Sequence, residues 1–138
     1  MSANPKILLV DDDKDFVESI KTVLEHDDYE VIPAYDGEEG LEEAKRTAPD
    51  VIVLDIMMRT TGEGMYVAQH LRQDEATKNI PIIVVTSINA VPPYSLWKDE
   101  AWLPVDVFLE KPVLPGALLE EVRKILHKPR TGTAPPNS

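Results

Sequence analysis

The sequence predicts an α/β fold, a doubly wound sheet of five parallel strands with helices on both faces. Three observations predict it. Short apolar runs alternate along the chain with segments of helical periodicity, the pattern of strand–helix–strand units rather than of hairpins. The runs KILLV (6–10), VIVLD (51–55) and PIIVVTS (81–87) are apolar at nearly every position, as strands buried on both faces must be. A chain of 138 residues with 43% hydrophobic content suits one domain with one sizeable core.

The elements follow in order. KILLV is a short continuous apolar run and reads as the first buried strand. Phe16, Val17, Ile20, Val23 and Leu24 then recur at helical spacing, with Asp13 or Asp15 placed to cap the helix. YEVIPAY (29–35) is the second strand; its Pro33 has no N–H for a ladder, which assigns it to an edge. Gly37 to Thr47 is the second helix, stopped by Ala48–Pro49. VIVLD is the third strand, and Val67, His70 and Leu71 share one face of a helix over Tyr66–Gln73. PIIVVTS is the fourth strand and VDVFL (105–109) the fifth. Leu118, Leu119, Val122, Ile125 and Leu126 mark a last helix from Gly116 to His127. Residues 1–128 are expected to form the domain, and the Pro-, Gly- and Thr-rich residues 129–138 a flexible tail.

Composition narrows the function. There is no cysteine, which excludes disulfides and thiolate metal sites. The start, MSANPKILLV, lacks the basic flank and apolar core of a signal peptide, and no apolar run approaches the roughly 20 residues that span a bilayer. A soluble, cytoplasmic protein is expected. Lys and Arg total 14 against 25 Asp and Glu, a net charge of −11, which argues against direct binding to nucleic acid or to an anionic membrane.

The chemistry gathers at the strand ends. In an open α/β sheet the working crevice lies beyond the carboxyl ends of the strands, where strand order reverses. Strand 1 ends in Asp11–Asp12–Asp13, strand 3 in Asp55, strand 4 in Thr86–Ser87 and strand 5 in Glu110–Lys111–Pro112. Each has a plainer reading alone: a helix cap, a turn residue, an ordinary strand threonine, a surface lysine. Together they form a set. Clustered carboxylates suit a hard divalent cation such as Mg²⁺. Phosphoryl transfer needs positive charge around the transferred oxygens, which Mg²⁺, Lys111 and the Thr86 hydroxyl would supply. An Asp carboxylate can itself be the nucleophile, and Asp55, the sole acid ending the central strand, is the best candidate.

With these residues in place, the sequence resembles the response-regulator receiver domains of two-component signalling. The resemblance is carried by ILLVDDD (7–13), YEVIPAYDGEEGLEEA (29–44), PDVIVLDIMM (49–58), IPIIVVTS (80–87) and VFLEKPV (107–113), in that order. It implies a flavodoxin-like sheet with strand order 2-1-3-4-5. It makes Asp55 the phosphoacceptor and also a Mg²⁺ ligand, with Asp12 a direct ligand, Asp11 a ligand nearby or through water, and the Met57 backbone carbonyl a further ligand. Lys111 and Thr86 would each bind a phosphoryl oxygen. The Lys111–Pro112 bond is often cis in this family, which would fix the lysine's aim. Thr86 and Phe108 would form the switch pair; Phe108 stands where the family more often has Tyr, so no phenolic hydrogen bond is available there. Small Ser87 leaves room for the phosphoryl group. Met57 and Ile88 flank the expected route of the hydrolytic water, and being apolar they predict no unusually fast loss of phosphate.

Two stretches depart from the family pattern. RTTGEGMY (59–66) replaces the usual proline with Arg59 and brings Glu63–Gly64 one residue late. INAVPPYSLWKDEAWLP (88–104) lengthens the path from Thr86 to Lys111, and Pro92–Pro93 forbids a continuous helix. The helix between strands 4 and 5 is therefore expected to be altered, with at most a short helix from Ser95 to Leu103. Trp97 and Trp102, five apart and on roughly opposed faces, are a candidate partner surface, or pack that segment against the sheet.

Four functions follow from these residues. The first is a single-domain receiver, taking a phosphoryl group from a histidine kinase or phosphotransfer protein and signalling to an unknown output protein, with a homodimer left open; it is not an enzyme beyond its own phosphotransfer and dephosphorylation. The second is a docking module that is not phosphorylated, against which the complete acid–Thr–Lys set argues. The third is an Asp-nucleophile phosphatase, which needs a second acid where Met57 stands. The fourth is a flavodoxin-like cofactor binder, whose first loop should offer bare N–H groups to phosphate rather than three aspartates.

Overall fold

The computed structural model describes residues 4–56, 63–86 and 107–131. The elements are β1 (Lys6–Val10), α1 (Lys14–His26), β2 (Glu30–Ala34), α2 (Gly37–Thr47), β3 (Val51–Asp55), α3 (Glu63–Gln73), β4 (Ile82–Thr86), β5 (Val107–Glu110) and α4 (Pro115–Thr131). All strand pairs are parallel, and the sheet order is β2-β1-β3-β4-β5. β2 is an edge, as Pro33 requires.

The continuous apolar runs resolve into two alternating faces. Leu8 and Val10 of β1, with Ile52 and Leu54 of β3, pack beneath α2 and α3, where Ala44, Val67 and Leu71 close one core. Ile7 and Leu9, with Val51 and Val53, face the other way onto Val17, Ile20 and Leu24 of α1 and Leu118 and Val122 of α4. A strand with cores on both sides has no position left for a polar residue until its end, where Asp11 and Asp55 emerge.

Capping decides the helix starts. Asp13, not Asp15, is the N-cap of α1: its side chain accepts a hydrogen bond from the Phe16 N–H at 3.1 Å. Asp36 caps α2 by accepting from the Glu39 N–H at 2.8 Å, while Glu39 accepts in turn from the Tyr35 N–H at 2.8 Å. α2 ends at Ala48 in the left-handed region, φ 48°, one residue before Pro49.

Two helices differ from their predicted spans. α3 begins at Glu63 rather than Tyr66. Its first turn carries Gly64, which has no side chain to register in a hydrophobic pattern. Gly64 instead allows close approach: a Cβ there would collide with the Ile56 Cα and the Asp55 carbonyl oxygen. α4 begins one residue early, at Pro115, where the missing N–H costs nothing in the first turn. It continues to Thr131, through residues assigned to the tail, and Gly132 follows directly in sequence. The two departures from the family pattern are covered in part or not at all: 57–62 and 87–106, with Arg59, Ser87, Ile88, Trp97 and Trp102, lie outside the described residues.

Candidate functional site: an acidic pocket at the strand ends

β1 and β3 are neighbours, with Val10 paired to Leu54, so the residues that follow, Asp11 and Asp55, emerge together. Strand order reverses here, since β1 is flanked by β2 on one side and β3 on the other. β5 reaches the same edge with Glu110 paired to Thr86, which delivers Lys111 one residue later. Three strands far apart in sequence thus converge.

Asp11, Asp12 and Asp55 each place a carboxylate oxygen within 4.8 Å of the others. Asp11 and Asp55 are buried, 1% and 3% exposed, while Asp12 is exposed. The Lys111 ammonium donates to Asp11 Oδ2 at 3.1 Å and to Asp55 Oδ2 at 3.4 Å. Asp11 Oδ1 accepts from the Asp13 N–H at 2.9 Å, so Asp11 is turned into the pocket while Asp13 turns away to cap α1. The three aspartates of the run therefore have three separate environments.

Burial pushes the Asp11 carboxyl above its ordinary value, opposed by the Asp13 N–H and by the Lys111 charge. For Lys111, burial alone would lower the ammonium; the charges of Asp55 and Asp11 together outweigh it and raise it. Lys111 is a firm cation held by two carboxylates.

The pocket fits a divalent cation. Three carboxylates against one ammonium leave two negative charges in balance, in a partly desolvated place where such a surplus is costly. Carboxylate oxygens are the hard donors that Mg²⁺ prefers. Asp11, Asp12 and Asp55 are the residues that would hold it.

Sequence reasoning placed Asp11, Asp12, Asp55 and Lys111, and the structure brings them together. The backbones of Thr86 and Phe108 stand at the ends of β4 and in β5, while their side chains, and all of Met57, lie outside the described residues. The Lys111–Pro112 peptide is cis. Two contacts were not legible in the sequence. The Phe16 ring lies beneath the Lys111 ammonium, 4.6 Å from centroid to nitrogen, though the hydrophobic pattern marks Phe16 only as a helix-face residue. Glu63 accepts from the Gly37 N–H at 2.6 Å, tying the start of α3 to the start of α2. Beside the acids, Asp13, Phe16, Lys111, Pro112 and Val113 line a hollow of about 360 Å³.

A doubly wound 2-1-3-4-5 sheet with three carboxylates and an ammonium at its switch point defines a flavodoxin-like protein with an acidic strand-end pocket. The family model described as the response regulator receiver domain matches residues 7–123, and the chain belongs to that family. It is 35% identical over 142 residues to the alkaline phosphatase synthesis transcriptional regulatory protein PhoP of Bacillus subtilis, covering 98% of this chain and 53% of that protein. It is 33% identical over 124 residues to the DNA-binding dual master transcriptional regulator RpaA of Synechocystis, covering 90% of this chain and 50% of the relative. The chain spans about half the length of these curated relatives. Among solved structures, it is similar to the CheY-like response regulator receiver domain protein of Methanospirillum hungatei, with TM-score 0.80, 28% identity and coverage of 94% and 99% of the two chains. The Francisella response regulator 1452 receiver domain gives TM-score 0.77 at 30% identity, covering 93% and 99%. Among the described residues no helix is long and apolar enough to cross a membrane.

Proposed function

We propose that this chain is a signalling receiver that takes a phosphoryl group on Asp55. The observation that carries the proposal is the Lys111 ammonium lying between the buried Asp11 and Asp55 carboxylates, with Asp12 beside them. An Asp55 oxygen attacks phosphorus; the new O–P bond forms as the donor's P–N bond breaks, and the bonding pair and a proton end on the imidazole that leaves. The donor is the phosphohistidine of a histidine kinase or a phosphotransfer protein. Lys111 then exchanges its hold on Asp55 for a phosphoryl oxygen. Asp11, Asp12 and Asp55, with the Met57 carbonyl by sequence position, would hold Mg²⁺, which when bound would supply positive charge against the phosphoryl oxygens. By sequence position Thr86 takes another phosphoryl oxygen, and Phe108 follows it as the switch aromatic. Output passes to a protein partner, for which the segment carrying Trp97 and Trp102 is the candidate contact by sequence. The chain works by changing state, not by turning over a substrate.

The test is incubation with acetyl phosphate, with and without Mg²⁺, followed by intact mass. An added phosphoryl group that requires Mg²⁺ and is lost in Asp55→Asn is expected. Absence of any adduct would overturn the proposal in favour of a module that acts by docking alone.

A further inference from the structure

The Lys111 ammonium is enclosed on three sides. Asp11 and Asp55 take two of its directions, and the face of the Phe16 ring, 4.6 Å from the nitrogen, covers a third. Phe16 is fixed from both ends. Its N–H is held by the Asp13 side chain at 3.1 Å, and its half-buried ring packs against the core shared by α1 and α4.

This third contact differs in kind from the other two. The oxygens that hold Lys111 belong to carboxylates that a divalent cation would draw on, and two cations at one pair of carboxylates repel. A lysine has a long flexible stem, so an ammonium displaced from its carboxylates swings into water unless something else holds it. An aromatic face attracts a cation through its quadrupole and carries no oxygen that a metal ion would claim.

We infer that Phe16 is a positioning residue for Lys111, its ring face keeping the ammonium at Asp55 while the carboxylates serve the divalent cation. The inference rests on the phosphoacceptor reading of Asp55, and its test separates the two. Phe16→Leu keeps an apolar side chain and removes the quadrupole; Phe16→Tyr and Phe16→Trp keep it. With acetyl phosphate and saturating Mg²⁺, Phe16→Leu is expected to slow phosphorylation between about 2-fold and about 30-fold, the scale of a cation–π contact, while Phe16→Tyr and Phe16→Trp stay near the parent rate. In a Lys111→Gln background the Phe16→Leu effect is expected to vanish, because the partner it acts through is gone. A loss that persists in that background assigns Phe16 a packing role and overturns the inference, as does a Phe16→Leu rate equal to the parent's.

A second readout does not depend on phosphorylation. Lys111 acylation by a small amine-reactive ester, followed by peptide mass with and without Mg²⁺, is expected to be faster in Phe16→Leu, with the larger difference in Mg²⁺. If the parent chain takes no phosphoryl group but this difference appears, the phosphoacceptor reading fails and the hold of Phe16 on Lys111 stands. If labelling is the same in parent and variant, the hold itself is overturned.

Discussion

Lys111 and Asp11 stand 100 residues apart in the chain and meet at 3.1 Å. The ammonium occupies carboxylate oxygens that a metal ion would also use, so the lysine and the ion are competitors as well as colleagues. Lys111→Gln is therefore expected to tighten Mg²⁺ binding, by roughly tenfold or more from the removed cation–cation repulsion, while phosphorylation of Asp55 falls. Isothermal titration calorimetry reads the first effect and intact mass the second. Weaker Mg²⁺ binding in the variant would show that the lysine organises the site rather than competing for it.

The division of labour within Asp11–Asp12–Asp13 gives a second test. Asp13→Ala removes the cap of α1 and is expected to lower stability by about 0.5–2 kcal/mol, leaving Mg²⁺ affinity within about twofold, since its charge lies outside the cluster. Asp11→Ala and Asp12→Ala each remove a carboxylate of the cluster that would hold the ion and are expected to weaken Mg²⁺ binding strongly. Denaturant midpoints and calorimetry on the three variants separate the roles.

Gly64 lies against the backbone of Asp55 and Ile56 and donates its N–H to the Ile56 carbonyl at 3.2 Å. Gly64→Ala must push α3 away from the end of β3. A loss of about 1–3 kcal/mol is expected from the overpacking, together with slower phosphorylation, because the displaced backbone is that of Asp55 itself. Thermal unfolding and the acetyl phosphate assay measure the two effects.

Alkaline pH tests the join between α1 and β2. Burial raises the Tyr29 phenol above its ordinary value and the Asp27 charge raises it further, while Arg123 opposes both. A folded-state value above the unfolded one means that unfolding releases a proton. This contribution is whole below about pH 10 and declines as pH rises from there through the folded-state value. Urea midpoints of the parent are expected to fall more steeply above pH 10 than those of Tyr29→Phe. Parallel curves would remove Tyr29 as the cause.

How much of this was legible in the sequence follows from what each feature depends on. Strand positions were legible because KILLV and VIVLD have no room for polar residues, and β2 was legible as an edge because Pro33 lacks a donor; the full strand order came from the resemblance to receiver domains. Asp11, Asp55 and Lys111 were legible because strand ends in a parallel sheet share one edge, so the end of each run names a site residue. Glu63 and Gly64 were not placed in a helix, because neither adds to an apolar stripe and Gly64 owes its place to the Asp55 carbonyl beside it. The Phe16–Lys111 contact was beyond reach: Phe16 satisfies a helical pattern, and nothing local to either residue states that α1 and the end of β5 converge.

The three acids and the lysine are contributed by the ends of three strands, spaced from residue 11 to residue 111, on both sides of the topological crossover. No contiguous fragment of the chain shorter than this span contains all four residues, and the observed order sets β1 directly beside β3. The pocket is thus a checksum on the whole fold. A nascent chain or a proteolytic piece ending before β5 carries Asp11, Asp12 and Asp55 without Lys111, and so has the carboxylates of the pocket without the cation that sits between two of them.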